Sequence, residues 1–160
     1  MGQYRAPNDA SGALCVILHT MQITIYTDGG ARGNPGPAGS GAVIIGADGK
    51  AVATISKFLG HQTNNFAEYE AVASALEEVK RRFGSLKGKE AQVEVRMDSQ
   101  LVARHLKGEY QIKEPTLFAH YIRIHNLIVA HFPNIRFTHV RREDNKEADR
   151  LANEAMDRGR

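Results

Sequence analysis

The first periodic stretch of the chain alternates. Ile23, Ile25 and Thr27 fall on one side of an extended backbone and Thr24, Tyr26 and Asp28 on the other, so Gln22 to Thr27 reads as a strand. Two further β-rich runs, Ser40 to Ile45 and Ala51 to Leu59, are joined by GADGK, whose Asp48-Gly49 pair is a strong hairpin signal. The period then changes. Ala71, Val72, Ala75, Leu76 and Val79 recur at helical spacing and predict a helix over Phe66 to Phe83, ended by Gly84. Ala91 to Met97 alternates again, Val93, Val95 and Met97 against Glu94 and Arg96. Ser99 to Lys107 is a short helix stopped at Gly108. Leu117 to Phe132 is a longer one, with Leu117, Tyr121, Ile124 and Ile128 on one face and Pro133 at its end. A strand, Ile135 to Val140, and a helix, Lys146 to Met156, complete the order. This succession predicts one α/β domain: a five-stranded mixed sheet, three antiparallel strands followed by parallel additions, flanked by helices. The domain is expected over residues 21–160, with residues 1–20 as a flexible N-terminal extension and Met21 as an alternative start.

Composition adds little to this picture and removes several alternatives. With 160 residues, 42% hydrophobic and 24% charged, the chain is ordinary for a globular domain. Its net charge is only +3, but the cations cluster at Lys80, Arg81, Arg82, Lys87 and Lys89, and at Arg141, Arg142, Lys146 and Arg150. Such clusters are ordinary on solvated helix faces and point to a polyanion only where they flank a site. The lone Cys15 excludes an intramolecular disulfide and fits a reducing compartment, hence a cytoplasmic location. No apolar run approaches the roughly 18 residues of a membrane span. The segment Ala13 to Leu18 is too short, and lacks the cleavage pattern, for a signal peptide. Neither G-x-x-x-x-G-K-[ST] nor G-x-G-x-x-G occurs, and the seven histidines lack zinc spacing.

Four acids stand out by position. Asp28 and Asp98 end the first and fourth strands; if these are parallel neighbours, both carboxylates emerge at the sheet edge where open α/β sheets place their sites. Glu68 opens the apolar stripe of its helix, and Asp149 borders the stripe formed by Ala148, Leu151, Ala152 and Ala155. Each acid alone has an ordinary explanation. Asp28 suits a turn, Asp98 a helix N-cap, Glu68 a capping box with Asn65 as N-cap, and Asp149 a first helical turn. Together they suggest one cause. Converging carboxylates repel one another unless cations intervene, and hard oxygen donors suit Mg²⁺. Two such ions roughly 4 Å apart form a clamp for phosphoryl transfer. Beside Asp28 lies YTDGGARGNPGPAGSG, a glycine- and proline-rich stretch suited to close backbone approach.

Four stretches carry a family resemblance: YTDGGARGNPGPAGSGAVI, TNNFAEYEAVASALE, MDSQLVARHLKG and NKEADRLANEA. In this order, over Met21 to Met156, the chain resembles type 1 ribonuclease H, which cleaves the RNA strand of RNA–DNA hybrids. The resemblance implies the ribonuclease H-like fold. It implies two Mg²⁺ ions, replaceable by Mn²⁺, held by Asp28, Glu68, Asp98 and Asp149 with Gly29 in the metal-binding set, and products with a 3′-hydroxyl and a 5′-phosphate. It places Asn34, Asn64, Asn65, Ser99 and Gln100 at the hybrid, mostly in its minor groove, and Thr63 near a DNA-strand phosphate. Amide side chains can donate to and accept from the 2′-hydroxyl that marks RNA. The glycine-rich stretch would let backbone approach the RNA strand.

The chain departs from the family pattern twice. Many members carry a mobile histidine in the loop before the last helix; here Arg142 stands seven residues before Asp149, and His139 lies in the preceding strand. Arginine, also found there in some members, can contact phosphate or assist product departure but cannot shuttle protons at neutral pH. Well-studied members also have a tryptophan- and lysine-rich protrusion, whereas this chain has no tryptophan and only KGEYQIKEP at that place. The expected protein is a monomeric enzyme with no obligatory protein partner, acting on RNA–DNA hybrid and not at a membrane. The alternatives are a non-catalytic hybrid- or RNA-binding module on the same fold, which would gain nothing from four repelling acids, and a phosphodiesterase for another structured nucleic acid.

Overall fold

The structure, a computed structural model, describes residues 20–159. The expected extension, Thr20 apart, and Cys15 lie outside the described residues. Five strands form one sheet in the order β3-β2-β1-β4-β5. They are β1 (Met21–Ala31), β2 (Gly36–Ile45), β3 (Ala51–Gln62), β4 (Ala91–Met97) and β5 (Ile135–His139). β1, β2 and β3 pair antiparallel, and β4 and β5 add in parallel, as the element order predicts. The helices are α1 (Asn64–Phe83), α2 (Gln100–Leu106), α3 (Phe118–His131) and α4 (Lys146–Arg158).

One expectation fails in an informative way. The glycine-rich stretch is mostly sheet, because β1 continues three residues past Asp28 and β2 begins at Gly36. Only a tight turn separates them, with Gly33 at φ 85° and a cis Asn34–Pro35 bond. Its glycines mark where helices press onto the sheet. A side chain on Gly29 would collide with the α1 backbone at Ala67 and Glu68, and one on Gly41 would collide with the α4 backbone at Ala148.

The apolar side of β1, Ile23 and Ile25, packs with Val93 and Val95 of β4 against Val72, Leu76 and Val79 of α1. α3 closes this layer through Ile124 and through Leu117 and Phe132, the residues that flank it, all buried. α4 covers part of the other face with Ala148, Leu151, Ala152 and Ala155, the stripe read from its spacing. Thr63, not Asn65, caps α1, its hydroxyl oxygen accepting from the Phe66 N–H at 3.2 Å, so the capping-box reading of Glu68 does not hold.

Glu70 of α1 fastens three elements together. Its buried carboxylate accepts from Lys57 of β3 (2.9 Å), from Ser74, from His120 and from Arg123 of α3 (2.8 Å). Burial alone would raise its pKa, but the hydrogen bonds from His120, Lys57 and Ser74 and the Arg123 charge outweigh burial and hold it far below the usual value of 4.5. A depressed folded pKa gives stability that is present above pH 4.5 and lost as the pH falls. Glu70→Gln is therefore expected to cost about 1–3 kcal/mol in urea unfolding at pH 7. The difference from wild type should shrink as the pH is lowered through 4.

Candidate active site

Register brings the first two acids together. The last parallel pair of β1 and β4 is Thr27 with Met97, so Asp28 and Asp98 are adjacent one residue beyond it. Asp98 is not the N-cap of α2; Ser99 is, its Oγ accepting from the Val102 N–H at 3.3 Å, which leaves the Asp98 carboxylate outside the cap. Glu68 joins because α1 can rest on Gly29 without an intervening side chain. Carboxylate oxygens of Asp28, Glu68 and Asp98 lie within 4.8 Å of one another.

Asp149 arrives from the other side of the sheet. α4 approaches β2 at Gly41, the residue paired with Asp28. Asn145 anchors its start. That side chain is buried, and its Nδ2 donates to the Thr27 carbonyl at 2.9 Å, immediately before Asp28. Asp149 lies close enough to Asp28 to help raise its pKa. Arg142 follows Arg141 in a short turn (Arg142–Asp144), and its Nη2 reaches Asp149 Oδ1 at 3.3 Å from solvent.

The four expected acids and Arg142 thus line one cleft of about 320 Å³, together with Gly29, Gly30, Arg32, Asn64, Asn153 and Met156. Burial, reinforced by the Asp98 and Asp149 charges, pushes Asp28 up to about 8. Burial, with the charges of Asp28 and Asp98, likewise raises Glu68, and on both groups the Gly29 N–H opposes the shift. The hydrogen bond to Asp149 and the surrounding acids raise Arg142. Hard oxygen donors crowded until two of them resist ionisation fit a divalent cation: its charge would offset the burial and the mutual repulsion that raise Asp28 and Glu68.

The expected substrate contacts divide. Asn64 lines the acidic cleft, and its Oδ1 accepts from the Ala31 N–H at 2.7 Å. Asn34 Oδ1 accepts from the Asn64 N–H at 3.1 Å. A backbone N–H can only donate, so both side-chain oxygens are committed and both NH₂ groups are left to present as donors. Asn65 instead lines a larger neighbouring cavity of about 440 Å³ with Leu101, His105, Tyr110 and Leu117. Thr63 and Ser99 serve as helix caps, and Gln100 is exposed at the start of α2. His139 Nε2 contacts the Asp98 backbone oxygen at 3.2 Å.

Arg32, Asn145, Asn153 and Met156 were not anticipated. Two of them carry a readable signal: Asn153 and Met156 follow Asp149 at helical i+4 and i+7 spacing, hence on its face. Arg32 comes to the cleft because β1 runs on past Asp28 to Ala31, the residue before it.

Comparison with known proteins bears on this site. A sequence-family model described as reverse transcriptase-like matches residues 26–155. Ribonuclease HI of Halobacterium salinarum is 41% identical over 85% of this chain and 65% of that protein. The crystal structure of LC11-RNase H1 in complex with an RNA/DNA hybrid superimposes with a TM-score of 0.80 at 48% identity, covering 86% of this chain and 98% of that one. The chain belongs to the type 1 ribonuclease H family. A bifunctional protein of Mycobacterium tuberculosis is 41% identical over 86% of this chain, which spans only 36% of that protein's length. Among the described residues no helix is long and apolar enough to cross a membrane.

The raised pKa of Asp28 sets a pH dependence. A carboxyl whose folded pKa moves from 3.8 to about 8 gives stability that is complete below pH 3.8 and lost as the pH rises through 8. Metal-free wild type should therefore melt lower at pH 9 than at pH 6 relative to Asp28→Asn. That variant should melt higher at pH 9 by roughly 2–4 °C per kcal/mol of repulsion relieved. Excess Mg²⁺ should shrink the difference, and a thermal scan over pH with and without the ion checks this.

Proposed function

We propose that this domain hydrolyses the RNA strand of RNA–DNA hybrids, leaving a 3′-hydroxyl and a 5′-phosphate. The observation that carries the reading is the convergence of Asp28, Glu68, Asp98 and Asp149 in one cleft whose rim presents amide donors. Membership of the ribonuclease H family supports it, as does the hybrid bound by LC11-RNase H1.

The four acids would hold the metal, with Gly29 beside them. When bound, two Mg²⁺ ions, or Mn²⁺ in their place, supply activation of the attacking water and neutralisation of charge on the phosphate and departing 3′ oxygen. The protein does the positioning. Asp28 and Asp98 are fixed by the β1–β4 ladder, and Glu68 and Asp149 by helices seated on glycines, so the acids need little rearrangement to receive a phosphodiester. The NH₂ groups of Asn34 and Asn64 would donate to 2′-oxygens or to minor-groove acceptors of the hybrid, selecting RNA in the cleft. Asn65, Ser99 and Gln100 extend this contact beyond the acids, and Thr63, whose O–H stays free to donate, suits a phosphate of the DNA strand. Arg142 offers a fully charged guanidinium to phosphate beside Asp149 and would help the product leave. In the same reading the domain acts as a monomer in the cytoplasm, without an obligatory partner protein.

Cleavage of hybrid, double-stranded RNA and double-stranded DNA with Mg²⁺ tests the proposal and separates it from a binding module or another phosphodiesterase. Hybrid alone should be cut. Asp28→Asn and Asp98→Asn should each reduce cutting by about 10²–10³-fold or more, the scale lost with a single charge-stabilising group at an active site. Asn64→Asp, which keeps the acceptor for Ala31 but loses the donor, should impair hybrid cleavage about as much as Asn64→Ala. Near-normal cutting by either acid variant, or equal cutting of the all-DNA duplex, would contradict the reading.

A further inference from the structure

The acidic cleft contains a second cation that the reaction described above does not use. Arg32 directly follows β1, four residues beyond Asp28, and its backbone N–H donates to the Pro37 carbonyl at 2.9 Å across the β1–β2 turn. It lines the same cleft as the four acids. Its guanidinium Nη1 is ion-paired with Asp157 Oδ1 in the last turn of α4. An acid is poorly placed there for the helix itself, because the C-terminal end of a helix carries partial negative charge. The ion pair with Arg32 gives it a role.

The edge of α4 along this cleft is defined by Asp149, Ala152, Asn153 and Met156. Arg142 is paired at one end of the edge, with Asp149, and Arg32 at the other, with Asp157. The two anchors are about 12 Å apart along the helix at 1.5 Å per residue. One cation, Arg142, therefore sits beside the carboxylates and the other, Arg32, farther along the cleft. Arg32 has five N–H donors in a planar fork, of which the ion pair with Asp157 takes one, and that fork matches a phosphate. A strand with its scissile phosphate at the acids must continue along the cleft in both directions, and towards the end of α4 it meets Arg32.

We propose that Arg32, held at the far rim of the acidic cleft by Asp157, grips a phosphate of the cleaved RNA strand away from the scissile bond. Arg32 is then a substrate-binding residue and Asp157 a positioning residue. The contact makes up in part for the basic protrusion that the chain lacks. This inference rests on the hybrid-cleaving function proposed above. A contact remote from the reacting atoms should act on binding more than on the chemical step.

The test compares wild type with Arg32→Ala, Arg32→Lys and Asp157→Asn, using Arg82→Ala, whose side chain pairs with Glu78 on the far end of α1, as a control. Hybrid cleavage with Mg²⁺ gives KM and kcat. Binding of the same hybrid across a salt series, with each substitution placed in an Asp28→Asn background to prevent cleavage, gives the slope of log affinity against log salt. Arg32→Ala should raise KM about five- to tenfold with kcat within about twofold, and flatten the slope by about 0.9, one phosphate contact, taking hybrids as comparable to B-DNA. Arg32→Lys keeps the charge without the fork, so it should preserve the slope and raise KM less. Asp157→Asn should also preserve the slope and raise KM about two- to threefold, which separates positioning from charge. Arg82→Ala should match wild type. If wild type cuts hybrid and Arg32→Ala shows unchanged KM and slope, this inference fails alone. If wild type neither binds nor cuts hybrid, the functional proposal fails and this one with it.

Discussion

Everything at the site depends on how closely two helices can approach the strand that carries Asp28. A side chain at Gly29 would collide with the α1 backbone at Ala67 and Glu68, and a side chain at Gly41, opposite Asp28 in the ladder, would collide with the α4 backbone at Ala148. Removing both side chains lets a helix rest on each face of the sheet at nearly one point. Glu68 and Asp149 are carried in with those helices. Two elements far apart in sequence and on opposite faces thereby deliver carboxylates to the end of one strand pair.

The convergence works against the fold in electrostatic terms. Burial, reinforced by the neighbouring acids, raises Asp28 and Glu68 well above ordinary carboxyl values. Glu70, two residues beyond Glu68, has the opposite environment: Lys57, His120 and Arg123 surround it and keep it ionised. One helix thus carries a carboxylate satisfied by protein cations and another left short of them. That contrast separates a structural acid from one prepared for an external cation.

Much of this was legible in the sequence. Alternation, β-rich runs and helical spacing located the five strands and four α-helices, although β2, buried on both faces, begins four residues before the run that marked it. The four acids could be selected from their places at strand ends and helix stripes before any geometry was known. Three things escaped. The continuation of β1 past Asp28 was hidden because Gly29 and Gly30 carry no side chains to alternate, so the place of Arg32 just beyond the strand, at the cleft, went unseen. The glycines were read as room for a substrate, whereas Gly29 and Gly41 make room for helices, a tertiary fact without local signature. The polarity of Asn34 and Asn64 was equally invisible, since it is set by the N–H groups of Asn64 and Ala31 across the turn.

The central claim is that glycine-permitted helix seating assembles the cation site, and the most direct measurement is calorimetric titration of Mn²⁺ into wild type and Gly41→Ala, with circular dichroism confirming that each is folded. Seating α4 on an added methyl group should move Asp149 away from Asp28 and weaken cation binding at least about tenfold, with overpacking costing about 1–3 kcal/mol of stability. A folded Gly41→Ala protein that binds Mn²⁺ with wild-type stoichiometry and affinity would contradict the account.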